Sequence, residues 1–179
     1  HTWYVPAYWW KHGQSILLSS TDGEHWQRLS TIYTGDRNDE TAIEFLEDGR
    51  MIATARLEFS PNFIHGDPHG ATLIATASPP YQTWQVQAKS PLTRLDGPCL
   101  FAYNGRIYAV GRYQPIKDRP FSYPGSIFSR KRTSLFIVQE NALVYLGDLP
   151  SAGDTSYAGV AIHNEELYIE YYTSNIHKD

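Results

Sequence analysis

At 179 residues the chain has room for one compact domain rather than two. Fifteen Lys and Arg against nineteen Asp and Glu give a formal charge of −4, which leaves no positive surplus for phosphates and argues against a nucleic-acid partner. Thirteen Tyr and five Trp bias the composition toward strands and broad aromatic surfaces rather than helical bundles.

In chain order, residues 3–9 (Trp3-Tyr4-Val5-Pro6-Ala7-Tyr8-Trp9) read as the second strand of a hairpin near residues 1–10, whose first strand would precede residue 1. Residues 15–20 and 26–29 form the next strand pair. Residues 40–57 then read as strand, Asp48-Gly49 turn and strand, with apolar positions alternating on both sides. A further pair follows at 71–77 and 84–87. The hairpin pattern recurs at 97–113, now around Asn104-Gly105, the dipeptide best suited to a type I′ turn. Counted from the turn glycines, Arg56 and Arg112 fall at the same place in the two copies. Ser129-Arg130-Lys131-Arg132 is a short basic run and reads as a solvated turn. A third copy spans 156–173, with Glu165 where the turn glycine stood.

A hairpin plus a second strand pair, repeated at a fixed interval, is the pattern of a four-stranded propeller blade. A β-sandwich is the structural alternative, but nothing in a sandwich calls for that repeat. No segment sustains the i, i+3, i+4, i+7 apolar period of a helix. The expected fold is all-β: one domain over 1–179 with about three to four blades, part of a larger ring. An open ring would bare sheet edges, so other segments, other chains or self-association are expected to close it. The chain starts His1-Thr2-Trp3, without an initiator Met or an apolar leader, and no run is long enough to span a membrane, so no membrane partner is expected. Cys99 is the only cysteine, which excludes an internal disulfide. Nothing fixes a compartment.

Ser20-Thr21-Asp22-Gly23-Glu24-His25-Trp26 resembles the Asp-box of neuraminidase (BNR) repeats, shortened by one residue, and residues 77–84 sit at the equivalent place without the Asp. The box implies a turn in which Asp22 accepts backbone N–H groups and Trp26 packs between sheets, so Asp22 is expected to be scaffold. Together with Asn38-Asp39-Glu40-Thr41, Gly97-Pro98 and Gly153-Asp154-Thr155-Ser156-Tyr157, it makes most of the chain similar to the sialidase-like family of six-bladed propellers. That resemblance implies a carboxylate-binding arginine triad, a Tyr nucleophile activated by a Glu, and an acid Asp, an exception to the usual two-carboxylate scheme. The Arg-Ile-Pro motif that supplies the first arginine of the triad is missing, as is an early loop with the acid Asp.

Carried over residue by residue, the resemblance makes Glu40 the base, Tyr157 the nucleophile, and Arg56 and Arg112 a clamp for an acidic sugar. The residues themselves leave alternatives open. Both arginines would also serve as strand caps through carbonyls or salt bridges, and Tyr157 as an aromatic floor for a sugar ring. Asp39 and Arg37 are candidates for the rim of the pocket. Adjacent side chains on a strand face opposite ways, so only one of Asp39 and Glu40 should enter the pocket. His65, Asp67 and His69 have spacing that suits a metal or an ordinary exposed loop; no metal and no cofactor is assigned. His12 and His163 receive no role. The functions implied are an exo-acting glycoside hydrolase taking a terminal acidic sugar from a glycan, a carbohydrate-binding propeller without chemistry, or another glycosidase or polysaccharide lyase on the same scaffold.

Overall fold

The computed structural model describes residues 1–115 and 122–175, and every regular element among them is a strand. Four antiparallel sheets follow one another along the chain. The first holds β1 (Trp3–Tyr8), β2 (Gln14–Ser20) and β3 (Gln27–Thr34), in that order. The second holds β4 (Asn38–Phe45), β5 (Met51–Leu57), β6 (Ala71–Ala77) and β7 (Trp84–Ser90). The third holds β8 (Asp96–Tyr103), β9 (Arg106–Tyr113), β10 (Arg132–Gln139) and β11 (Ala142–Asp148). A hairpin of β12 (Ala152–His163) and β13 (Glu166–Asn175) ends the series. Two four-stranded meanders flanked by two shorter sheets are the blades expected. The β10–β11 pair is one that the sequence reading did not pick out.

The core lies between blades rather than inside one sheet. Leu17 and Ile32 of the first sheet meet Met51, Ala53 and Ala77 of the second, and Ile52 and Ile74 on its other face meet Leu100, Ile107, Phe136 and Leu143 of the third. Strands β5 and β6 are therefore covered on both faces and read as continuous runs, Met-Ile-Ala-Thr-Ala and Ala-Thr-Leu-Ile-Ala-Thr-Ala, instead of alternating. The alanines let the neighbouring sheets come close, while each fully buried Leu, Ile, Met or Phe contributes about 1.5–3 kcal/mol. Strand β13, with no sheet on its outer side among the described residues, keeps an exposed alternating pattern.

Turn length sets which residues correspond. Phe45 pairs with Met51, leaving a five-residue connection in which Gly49 has φ 82°, whereas Tyr103 pairs with Arg106 across Asn104 and Gly105 alone. Counting from the glycines is thus out by one: on the ladders Arg112 corresponds to Leu57, and Arg56 to Gly111. In the third hairpin Asn164 and Glu165 both take positive φ, so the two-residue turn survives loss of its glycine.

Candidate active site

One backbone device recurs on the three strands β4, β8 and β12, each the first of its hairpin. The ladder skips two residues between Asn38 and Thr41, between Asp96 and Cys99, and between Ser156 and Gly159. A bulge of this kind bends the strand and re-aims the side chains within it. The skipped pairs are Asp39-Glu40, Gly97-Pro98 and Tyr157-Ala158, and they converge. The bulge also corrects the expectation that Asp39 and Glu40 face opposite ways, because both reach the guanidinium of Arg56.

Glu40 and Tyr157 meet directly. The Tyr157 hydroxyl donates to Glu40 Oε1 across 117 positions of sequence. Glu40 Oε2 accepts the Gly97 N–H at 2.7 Å and lies 3.0 Å from Arg56 Nη1, so both carboxylate oxygens are fixed. Gly97 is required there: its φ is +56°, and an added Cβ would stand 2.5 Å from Ser156 Oγ and 3.0 Å from the Tyr157 ring. Tyr157 itself has φ 51°, unusual for a bulky residue, and stacks on Tyr172 at 6.2 Å between ring centroids. Partial burial, then the hydrogen bond to Glu40 and its negative charge, push the phenol well above its ordinary pKa, against the opposing pull of Arg56 and Arg112. At rest the phenol keeps its proton and donates it to Glu40.

Beneath them lies a lattice of guanidinium and carboxylate groups. Arg56 binds Asp39 through two bonds, Nε to Oδ1 at 2.7 Å and Nη2 to Oδ2 at 2.5 Å, and it approaches Glu58 at 3.5 Å and Asp96 at 3.6 Å. Burial opposes its charge, but Asp39, Asp96 and Glu40 outweigh burial and raise its pKa. Asp96, fully buried, receives Arg94 Nε at 2.7 Å, Arg112 Nη1 at 3.3 Å and the Gln114 amide. Burial would raise its pKa; Arg94, Arg56 and Arg112 together bring it below the usual carboxylate range. Arg112 further donates to the Thr155 carbonyl at 2.7 Å, to Asp154 at 2.8 Å and to the Tyr172 hydroxyl at 3.2 Å. Arg37 stands 3.5 Å from Glu58, with its buried Nε unpartnered.

The structure therefore brings together Glu40, Tyr157, Arg56, Arg112, Asp39 and Arg37. Asp39, expected at the rim, is fully buried in the floor because Arg56 holds it there. Sequence reasoning missed Glu58, Arg94, Asp96, Asp154, Tyr172 and His12. A signal was present for three of these residues: Arg56-Leu57-Glu58 and Arg94-Leu95-Asp96 are the same triplet, each with its leucine fully buried between polar neighbours. His12 Nδ1 lies 2.9 Å from both Asp39 Oδ2 and Glu58 Oε2. The three could ligate a cation by spacing, yet Arg56 and Arg37 already put positive charge on the same carboxylates.

The remaining expected features lie outside this cluster. The backbone N–H of His69 donates to Asp67, and the His65 carbonyl accepts from Tyr123, as in a loop held by its own backbone. Asp22 accepts the N–H groups of Glu24 and His25 at 2.9 and 2.8 Å, and these bonds and the His25 ring hold its carboxyl well below the usual range. This turn leaves β2 at Ser20, the end of the strand away from His12, so Asp22 takes no part in the cluster. Trp26, expected between sheets, instead folds over its own turn and donates to the Gly23 carbonyl at 3.1 Å. Trp84 makes the intersheet contact, donating to Ser30 Oγ at 3.0 Å. A 320 Å³ cleft between Arg50 and Gln85 lies at that same far end of the second sheet, lined by turn residues.

No family model and no curated protein matches the sequence. Solved structures do. The chain is similar to the α-L-arabinofuranosidase of Fusarium graminearum bound to an iminosugar inhibitor, at TM-score 0.58 and 11% identity over 90% of this chain and 50% of that one. It is similar to a Bombyx mori GH32 β-fructofuranosidase at TM-score 0.56 and 12% identity, over 94% of this chain and 39% of the other. It is similar to Trypanosoma rangeli sialidase in complex with sialic acid at TM-score 0.51 and 15% identity, over 91% and 26%. The chain thus spans half or less of each of these structures. With its consecutive four-stranded blades and these matches, it has the sialidase-like β-propeller fold.

Proposed function

We propose that the chain carries the reactive centre of an exo-acting, retaining glycoside hydrolase that removes a terminal acidic sugar from a glycan. The observation that carries this reading is the bond between Tyr157 and Glu40. A phenol with a raised pKa is a poor nucleophile on its own, and it needs a base placed to take its proton as it attacks. Glu40 Oε1 already holds that proton's hydrogen bond. In the first step the Tyr157 oxygen bonds to the anomeric carbon, the glycosidic C–O bond breaks, and the phenolic proton passes to Glu40. In the second, the oxygen of water bonds to that carbon as the C–O bond to Tyr157 breaks, Glu40 returns its proton to the phenol oxygen, and the proton released by water goes through solvent to the departed leaving-group oxygen. Asp39 and Asp96 hold Arg56, and Arg56 with the Gly97 N–H holds Glu40. The sugar's acidic group is assigned to Arg56 and Arg112, with Arg112 beside exposed Asp154 and with Arg37 forming the accessible part.

A second reading, hydrolysis of an uncharged glycoside, is favoured by one feature. The five carboxylates Asp39, Glu40, Glu58, Asp96 and Asp154 outnumber Arg37, Arg56, Arg94 and Arg112, so the cluster has no positive charge left over. Aryl glycosides separate the readings, because an aryl leaving group departs without an acid catalyst. Release of aryl alcohol from an aryl sialoside or uronide, lost in Tyr157→Phe, supports the first. Release only from neutral arabinosides or fructosides supports the second. Glycan binding with no release from any of them would make the protein a carbohydrate-binding propeller and overturn both.

A further inference from the structure

Glu40 has aromatic groups on two sides, and only one of them belongs to the hydrolytic pair. On one side stand Tyr157 and Tyr172, 58% and 42% exposed. On the other, across Asp39 and His12, is Tyr8, whose ring centroid lies 6.5 Å from that of His12, itself 2.9 Å from Asp39. Tyr8 ends β1, and the chain then turns through Trp9 and Trp10 to His12. This turn is fastened at both ends. The His12 N–H donates to the Trp9 carbonyl at 2.8 Å, the Gly13 N–H donates to the Asn38 carbonyl at 2.7 Å, and the His12 ring bonds to Glu58 and Asp39. Both indoles are nonetheless left in solvent, Trp9 63% and Trp10 71% exposed.

Two large exposed indoles on an anchored turn are costly to leave wet unless something covers them. Trp10 has an occupant for one face, since Lys11 Nζ lies 5.4 Å from its ring centroid. We infer that the turn over residues 9–12 is a sugar-binding subsite in which the Trp9 indole stacks on the apolar C–H face of a pyranose or furanose ring, and His12 is the positioning residue that ties this turn to the floor of the site. The occupant is a sugar because the turn adjoins a floor of charged hydrogen-bonding groups, and a sugar ring has both an apolar face to stack and hydroxyls to bond. An aliphatic ligand would offer nothing to the accessible guanidinium of Arg37 beside Glu58. The inference rests on the proposed glycan-processing function of the Glu40 site.

The test is binding, measured by isothermal titration with sialyllactose and with arabinotriose as probes on the full chain. Wild type, Trp9→Ala, Trp9→Phe, Trp10→Ala and Tyr157→Phe are compared after thermal melts confirm folding. Trp9→Ala is expected to weaken the bound probe about tenfold, the order of one lost aromatic contact, with Trp9→Phe recovering most of it. Trp10→Ala should change binding less than about twofold, since Lys11 covers one face of its ring. Equal binding by wild type and Trp9→Ala overturns the subsite, as does failure of wild type to bind either probe, or a change in oligomeric state alone. Loss of binding in Trp9→Ala alongside unchanged turnover in Tyr157→Phe would sustain the subsite while removing the nucleophile.

Discussion

The hairpins β4–β5 and β8–β9 share a strand order and a bulge at the same point, but load that bulge oppositely. In the first it projects Asp39 and Glu40. In the second it holds Gly97, whose bare Cα leaves room for Ser156 and Tyr157 and whose N–H receives Glu40. One repeat supplies a carboxylate and the next supplies the slot that orients it. The third copy places Tyr157 at the corresponding skipped position. Repetition thus provides three equivalent mounting points near one axis, and divergence at a single residue in each decides the chemistry.

The comparison breaks most sharply at Asp96, the residue just before the second bulge. Asp96→Ala leaves Arg94, Arg56 and Arg112 without their shared buried counterion and is expected to destabilise the fold by about 3–5 kcal/mol, read by urea denaturation. A loss below about 1 kcal/mol would mean that the three arginines do not depend on Asp96 as argued. Gly97→Ala comes next. The close contact and the positive φ together predict a loss of about 2–3 kcal/mol, with turnover falling at least a hundredfold as the shifted backbone carries its N–H away from Glu40 and the added Cβ displaces Tyr157. If the alanine variant keeps full turnover, the slot is not what orients Glu40.

The acid limb of stability sharpens the same contrast. Asp96 has a depressed pKa when folded, so its contribution is complete above the unfolded value of about 4 and is lost as pH falls through the lower folded value. Wild type should therefore lose stability below about pH 4 more steeply than Asp96→Asn, as followed by thermal melts from pH 2 to 7. Parallel curves would contradict the assignment. The smallest effect is expected at the opposite end of the first sheet. Asp22→Asn removes the charge of an exposed turn acceptor and its Oδ2 contact with the His25 ring, and should lower Tm by no more than about 4 °C while leaving turnover unchanged.

The blades were legible because a two-residue turn and alternating apolar positions leave a local signature, visible at Asn104-Gly105 and around Asp48-Gly49. Glu40, Arg56, Arg112 and Tyr157 were singled out through the family resemblance, and the structure brings their side chains into one cluster. The bulges were not, since an unpaired residue is defined by its partner strand and not by its own neighbours. That is why Asp39 was placed at the rim, whereas the two arginines were put in equivalent positions because the two turns differ in length. Glu58, Arg94 and Asp96 escaped because their role depends on adjacent blades approaching each other, although the repeated Arg-Leu-acid triplet marked them. Trp26 and Trp84 show the same limit: both follow a turn, and only the sheet beside each one decides which is covered.

The central claim is that Tyr157 is the nucleophile served by Glu40. The direct measurement is to react the protein with a slow fluorinated form of whichever aryl glycoside it hydrolyses, then digest it and locate the added sugar by mass spectrometry. The account predicts the glycosyl mass on the peptide containing Tyr157, absent in Tyr157→Phe and much reduced in Glu40→Gln. A sugar ester on an Asp or Glu would contradict it.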